Sequence, residues 1–351
     1  MAKERIVTAT ARPSEEDEPV VSTLRPQRLA DYVGQSALKE RLGIALEASR
    51  LRGAPAEHLL LHGPPGLGKT TLAHVVANEL GTRAYVTSGP ALTKAGDLVG
   101  TLTRMQERDV LFIDEIHRLP ASVEEYIYPA MEDCRIDFTV DSGMHAKVVT
   151  IQLKPFTLIG ATTRPGLLTQ ALRTRFGIVH HLGFYPVADL LRILGRAAGV
   201  LGCESPSEQS LRMIAERSRG TPRVALRLLR RAHDFAVVRA KGVLDRAAVE
   251  GALELEGVDA LGLDDLDRSY LRALGTTYEG GPVGVEALAA TLGEDAGTLE
   301  DVVEPYLLQA GFLARTRQGR RITRAGAAHM GLAWRERESD ADTGEQLFRA
   351  S

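Results

Sequence analysis

Gly63-Pro64-Pro65-Gly66-Leu67-Gly68-Lys69-Thr70 fits the phosphate-loop pattern G-x-x-x-x-G-K-[ST] at every fixed position. The run before it, Leu59-Leu60-Leu61, is apolar and strand-like. The run after it, residues 71–80, carries apolar side chains at helical spacing and stops at Gly81. Glycines let the backbone wrap a phosphate closely, so that its N–H groups and the helix N-terminus point at the negative charge. Lys69 then reaches the β- and γ-phosphates, and the Thr70 hydroxyl holds Mg²⁺. Residue usage alone yields the pattern by accident in roughly one chain in a hundred of this length. The flanking strand and helix lower that further, and a nucleotide site is implied.

The chain has 351 residues, too many for one ordinary core, so two or three domains are expected. Hydrophobic residues make up 44% and charged residues 25%, the balance of a soluble globular protein. The net charge of −3 means that any nucleic-acid contact needs a local basic patch rather than a global field. Two cysteines, Cys134 and Cys203, stand far apart and outside any metal spacing, which argues against a disulfide framework or a zinc site. The sequence lacks a run of about 18 apolar residues and an N-terminal secretory core, and a cytoplasmic location is expected. Residues 1–20, with Glu15-Glu16-Asp17-Glu18, and the acidic tail 336–351 offer almost nothing to bury and read as disordered.

Three further strand-like segments follow the phosphate loop: Ala84-Tyr85-Val86-Thr87, Val110-Leu111-Phe112-Ile113 and Thr157-Leu158-Ile159-Gly160-Ala161-Thr162-Thr163. Uninterrupted apolar strands alternating with helices imply an α/β fold with a parallel sheet covered on both faces. Asp114-Glu115 ends the second of them, at the strand end where open α/β sheets bind ligands. Hydrolysis of a phosphoanhydride needs one carboxylate near the metal and another group to orient or deprotonate water. Asp114 suits the first role and Glu115 the second. Thr163 offers a hydroxyl near the same face, as a γ-phosphate sensor. In Arg173-Thr174-Arg175-Phe176-Gly177 the arginines read either as a solvated helix end or as an arginine finger delivered to a neighbouring subunit.

From Val187 the pattern is helical, with helices expected over 187–201, 207–219, 222–240 and 246–254. The third opens Gly220-Thr221-Pro222-Arg223, with Thr as N-cap and Pro at the first helical position. Arg223 therefore sits in a first turn, where the helix dipole disfavours a cation, a hint that an anion approaches it. After Gly257 come helical stretches over 264–274, 285–292 and 298–309, then an alternating segment on either side of Gln318-Gly319 that reads as a hairpin. Three helices and a hairpin are a winged-helix arrangement. Arg315, Arg317, Arg320, Arg321 and Arg324 crowd that hairpin without one acid, as in a phosphate-contacting wing.

Taken together, Leu24-Arg25-Pro26, Asp31-Tyr32-Val33-Gly34-Gln35, residues 62–72, Ala95-Gly96-Asp97-Leu98, residues 109–119, Tyr128-Pro129-Ala130-Met131-Glu132-Asp133, residues 155–164, Arg175-Phe176-Gly177-Ile178, residues 220–223 and Glu304-Pro305-Tyr306-Leu307 resemble the RuvB family of bacterial Holliday-junction branch-migration motors, ATPases of the AAA+ class. The resemblance runs over nearly all of residues 24–331. It implies an AAA+ P-loop parallel-sheet domain at 21–184, a helical lid at 185–257 and a C-terminal winged-helix domain at 258–335. It also implies an ATP- and Mg²⁺-dependent homohexameric ring that pumps duplex DNA through a Holliday junction, with the junction-binding RuvA and the RuvC resolvase as partners. By the same resemblance Leu24, Arg25 and Tyr185 border the base and ribose, while Gly66, Leu67, Gly68, Lys69, Thr70 and Thr71 cradle the phosphates. Thr70 and Asp114 take the metal, Glu115 the water, and Thr163 and Arg223 act as first and second sensors. Arg175 is the finger in trans, Asp133, Cys134 and Arg135 lie near a nucleotide at a subunit interface, and Arg315 and Arg320 contact DNA. Residues 136–153 match the hairpin that docks RuvA in that family, although Asp141-Ser142-Gly143-Met144-His145-Ala146-Lys147 departs from the family's sequence.

Two other readings compete. A clamp-loader subunit would need a C-terminal helical collar, against which the basic hairpin argues. A nucleotide-gated DNA-binding regulator would not need Glu115, Thr163 and Arg175 together.

Overall fold

The computed structural model describes residues 24–140, 147–203 and 206–334. The acidic stretch 15–18, the divergent residues 141–146 and the tail from 335 onward lie outside the described residues. The described residues divide into two compact units between Arg246 and Ala247.

In the first unit, α1 (Ser36–Arg52) precedes β1 (Leu59–His62), α2 (Lys69–Leu80), β2 (Ala84–Ser88), α3 (Ala95–Leu102), β3 (Val110–Asp114) and α4 (Ala121–Asp133). A two-stranded hairpin, β4 (Arg135–Val140) and β5 (Lys147–Gln152), then leads to β6 (Thr157–Thr162), α5 (Gln170–Thr174) and β7 (Ile178–His181). The main sheet has the order β2-β3-β6-β1-β7, and every pair in it is parallel. Its central strands β1, β3 and β6 are buried almost throughout, which is why they read as unbroken apolar runs. The edge strands β2 and β7 are half-exposed. The sequence pattern gives four strands and misses β7, because Ile178-Val179-His180-His181 has only two apolar residues and an edge position asks for no more. Since β6 lies between β3 and β1, the loops leaving these three strands emerge side by side.

His58, just before β1, ties three elements together. The Leu158 amide donates to its Nδ1 at 2.9 Å, so the ring proton resides on Nε2, 3.2 Å from the Met131 carbonyl at the end of α4. The ring is therefore neutral, and burial pushes its pKa below the usual histidine value, partly offset by the Met131 carbonyl.

The lid helices α6 (Val187–Val200), α7 (Glu208–Glu216) and α8 (Pro222–Arg239) complete this unit by packing on one another. Their apolar stripes, such as Leu190, Ile193, Leu194 and Ala197 on α6, are the periodic positions of the sequence. Helix α7 stops three residues short of the expected 219 because Arg219 and Gly220 take positive φ values of 54° and 65°. Thr221 is at the N-cap position of α8, but its hydroxyl donates to the Arg219 carbonyl at 3.2 Å instead of capping the helix. Helix α9 (Arg246–Leu255) starts at the boundary between the units.

The second unit holds α10 (Asp265–Arg272), α11 (Val285–Leu292), α12 (Glu304–Gln309), the hairpin β8 (Leu313–Thr316) and β9 (Gly319–Ile322), and α13 (Arg324–His329) around Tyr270, Leu271, Leu274, Leu288, Leu299 and Leu307. Two expected helices are not regular. The chain opens into wider π-type turns at Ala273–Thr277 and at Leu299–Val303, just ahead of α12. A wider turn changes the phase of the helix, and Glu304, which follows the second one, is fully buried. The hairpin turn is Arg317-Gln318 rather than Gln318-Gly319, since Gly319 pairs with Thr316. Gly319 serves a close approach instead: a β-carbon there would lie 2.4 Å from the carbonyl oxygen of Val283, whose backbone pairs with Arg320. The architecture is the α/β P-loop domain, helical lid and winged helix that the sequence implies.

Because native His58 binds fewer protons than an unfolded histidine, stability falls as pH drops below about 6.5 and the unfolded state takes up the proton. NMR titration of the ring carbons should show His58 neutral at pH values where exposed histidines are half protonated. Titration of His58 at the ordinary histidine value would contradict the buried, accepting Nδ1.

Candidate functional site

The phosphate loop joins β1 to α2 and forms one wall of a cleft of about 690 Å³. Gly66, Gly68, Lys69, Thr70 and Thr71 line it. Leu67 does not: its side chain is fully buried, and its carbonyl accepts from the hydroxyls of Tyr32 and Tyr185 at 3.4 and 3.3 Å. The two hydroxyls are 3.1 Å apart, so a residue just before α1 and one just before the lid helices meet on the phosphate loop. Lys69 Nζ donates to the Gly63 and Pro64 carbonyls, both at 2.8 Å, and so folds back over its own loop. Burial, reinforced by Arg223 and opposed by Asp114, lowers its pKa to about 8.

Arg223 faces this loop from the first turn of α8. Its amide donates to the Gly66 carbonyl at 3.3 Å, and a β-carbon on Gly66 would lie 2.7 Å from Thr221 Cγ2 and 2.9 Å from Arg223 Cβ. Leu24, Arg25 and Tyr185 also line the cleft. Arg196 of α6 ties the segment that carries Leu24 and Arg25 to the lid by donating to the Leu24 and Asp31 carbonyls at 3.0 and 3.1 Å.

Asp114, Glu115 and Thr163 reach the same cleft from the ends of β3 and β6. Burial raises the Asp114 pKa, while the Glu115 amide, 3.0 Å from its Oδ1, and Lys69 pull it down. A desolvated carboxylate of this kind is suited to a cation, and with the Thr70 hydroxyl it fits Mg²⁺, which takes few protein ligands and completes its shell with phosphate and water. Among the described residues no group of three or more His, Cys, Asp or Glu could hold a metal alone. Glu115 has φ 46° and ψ 44°, a conformation rare outside glycine and concentrated at functional sites. Its carboxylate pairs with Arg118 at 3.0 Å. Thr162, beside Thr163, bonds His117 Nδ1 at 2.9 Å, linking the carboxylate-bearing turn to β6.

Arg175 does not line the cleft. It follows α5 and stacks on Tyr128 of α4, with its guanidinium carbon 4.4 Å from the ring centroid, and its Nε is 3.1 Å from the Glu132 carboxylate. Asp133, Cys134 and Arg135 continue from Glu132 and are also outside the cleft. Arg135 pairs with Asp133 at 3.3 Å, and Cys134, at φ 50°, ends α4.

In the winged-helix unit Arg315 and Arg320 occupy paired positions across the hairpin. Like charges directly opposite repel, but here the fully buried Glu304 lies against both. Its carboxylate accepts from Arg315 Nε at 2.6 Å, from Arg320 Nε at 3.0 Å and from the Tyr270 hydroxyl at 2.8 Å. Arg320 also donates to Glu300 at 2.7 Å and keeps 15% of its side chain exposed, against 44% for Arg315. Sequence reasoning saw the arginines and missed their counter-ion, since nothing local marks Glu304 as buried. It also missed Tyr32 and Arg196, the first lying inside a quoted motif with no chemistry of its own.

Residues 24–182 match the Holliday junction DNA helicase RuvB P-loop domain, residues 185–259 the RuvB AAA lid domain and residues 260–331 the RuvB C-terminal winged helix domain. Among solved structures, the Thermotoga maritima RuvB Holliday junction branch migration motor is 48% identical, with a TM-score of 0.81 over 89% of this chain and 99% of that one. A lysine-to-arginine mutant of the same protein gives 48% identity and a TM-score of 0.82 over 89% and 100%. An arginine-to-alanine mutant gives 47% and 0.80 over 89% and 99%. Among the described residues no helix is long and apolar enough to cross a membrane.

With a Lys69 pKa of about 8, a phosphate approaching at higher pH must first recharge the amine. ATP binding at a pH near 8.5 should therefore take up a fraction of a proton, and affinity should fall as pH rises through this range. Calorimetry in two buffers of different ionisation enthalpy measures the uptake; binding without it would contradict the buried amine.

Proposed function

Because this chain belongs to the RuvB family of Holliday junction DNA helicases, we propose that it works as a hexameric ring that hydrolyses ATP to drive branch migration, in concert with RuvA and RuvC in the cytoplasm. The protein is an ATP-hydrolysing enzyme of the AAA+ class with a winged helix. One observation carries the finer reading: phosphate loop, Asp114, Glu115, Thr163 and Arg223 arrive from four separate segments at one cleft. We assign the ATPase domain to 21–184, the lid to 185–257 and the winged helix to 258–335.

In this reading Leu24, Arg25 and Tyr185 hold the base and ribose, and Gly66, Gly68, Lys69, Thr70 and Thr71 hold the phosphates. Leu67 contributes through its backbone. Thr70 and Asp114 would hold Mg²⁺, which would supply positive charge against the phosphates. Glu115 takes the proton of the attacking water, and release from Arg118 frees it to do so. Thr163 and Arg223 contact the γ-phosphate from sheet and lid, so that the contact of Arg223 with Gly66 makes lid position sensitive to the phosphates. Arg175 stabilises transition-state charge in the adjacent subunit, and Asp133, Cys134 and Arg135 belong to the same interface. Arg315 and Arg320 place the wing on the DNA backbone.

Glu115→Gln should bind ATP with normal affinity while hydrolysis falls by about 10²–10⁴-fold, the usual worth of a general base. Measured binding and turnover separate the two; near-normal turnover would refute the role of Glu115.

Arg315→Ala should reduce the slope of log affinity against log salt for duplex DNA by about one, with the loss shared by unrelated sequences. Arg320→Ala should in addition lower the unfolding temperature of the winged-helix unit, because it strips Glu300 and the buried Glu304 of a partner. An unchanged salt slope for Arg315→Ala would remove the wing from the DNA contact.

A further inference from the structure

Arg175 is held more firmly than a surface arginine at a helix end. Its guanidinium lies over the Tyr128 ring at 4.4 Å, one terminal nitrogen donates to the Ala171 carbonyl at 2.7 Å, and Nε makes an ion pair with Glu132 at 3.1 Å that lacks hydrogen-bond geometry. Its other terminal nitrogen is engaged by nothing among the described residues.

The Tyr128 ring is itself braced. Its hydroxyl and that of Thr169 both donate to one oxygen of Glu124 and stand 3.1 Å from each other. Thr169 is also the N-cap of α5, where its hydroxyl accepts from the Leu172 amide at 3.1 Å, and Arg175 is the C-cap of the same helix. Both ends of this one-turn helix are therefore fastened to α4: the start through Thr169 and Glu124, the end through Arg175 and Tyr128. Helix α4 in turn follows the end of β3, which carries Asp114 and Glu115, after one short turn over Ile116–Arg118.

An exposed arginine samples many rotamers, and fixing it costs entropy at the moment of reaction; a guanidinium already fixed over an aromatic face avoids much of that cost. We propose that Tyr128, braced by Glu124 and Thr169, and Glu132 are positioning residues that hold Arg175 in the orientation offered to a neighbouring subunit. The proposal rests on the reading of Arg175 as a finger acting in trans. It also gives a physical route between sites: α4 joins the carboxylates of a subunit's own cleft to the arginine it presents elsewhere.

The test uses the full chain with Mg²⁺ and ATP. Tyr128→Leu should lower turnover about tenfold, the worth of a partly desolvated cation–aromatic contact. Tyr128→Phe, which keeps the ring, should retain most of it. Glu132→Gln should cost about threefold, as for a half-exposed ion pair; Glu132 keeps 55% of its side chain exposed, so this variant carries the test if Tyr128→Leu fails to fold. ATP affinity should be unchanged in all three.

The decisive step mixes each variant with Lys69→Ala subunits, which have dead sites and intact fingers. If the defect lies on the donor side, activity rises above the sum of the separate proteins, as it should for Arg175→Ala. Unchanged turnover in both Tyr128→Leu and Glu132→Gln overturns the proposal. So does a loss that mixing leaves unrepaired while Arg175→Ala is repaired, since the defect then belongs to the variant's own site. Failure of Arg175→Ala itself to recover overturns the reading of the finger, and the platform with it.

Discussion

Gly66 has no room for a β-carbon. The atom would meet Thr221 on one side and Arg223 on the other within 3 Å, and the backbone at Gly66 has φ 77°, which side chains rarely adopt. The phosphate loop and the first turn of α8 are thus in direct contact, closed by the bond from the Arg223 amide to the Gly66 carbonyl. The organisation of the cleft follows from this contact. It brings a lid helix against the phosphate loop, and it puts a cation at the start of a helix, where the dipole alone would not place one. Any ligand that repositions the loop must act on the lid at the same point.

The charges around the loop are arranged for an anion. Lys69 occupies carbonyls of its own loop and is depressed by burial and by Arg223, while Asp114 is buried enough to be raised. In the proposed reading, a phosphate beside Lys69 and a cation beside Asp114 would offset both costs. Glu115 is paired with Arg118 in a strained left-handed turn.

Much of this was legible in the sequence because the signals are local. The phosphate loop, the apolar central strands and the Thr-Pro start of α8 depend on neighbours a few residues away, and the patterns survive in a single chain. Strand β7 was illegible because an edge strand needs little apolar surface. The Gln318-Gly319 turn was misplaced by one residue because Gly319 answers to Val283, distant in sequence, and not to the turn. The same holds for the wing. Arg315 and Arg320 read as a phosphate-contacting wing without an acid nearby, and only the fold shows Glu304 against them. Arg175 was read as one of two alternatives, and its packing on Tyr128 depends on two helices meeting. Contacts between distant segments decide which charges are spent inside the protein and which are left for a partner.

The central claim is that one chain supplies the cleft and another the arginine that completes it. Electron microscopy of the protein with Mg²⁺, a slowly hydrolysed ATP analogue and a four-way DNA junction tests this directly. The account predicts hexameric rings encircling duplex arms, with Lys69 on the phosphates of its own cleft and Arg175 of the adjacent subunit at the γ-phosphate. Isolated monomers on the junction, or rings in which Arg175 faces no neighbour's nucleotide, would contradict it.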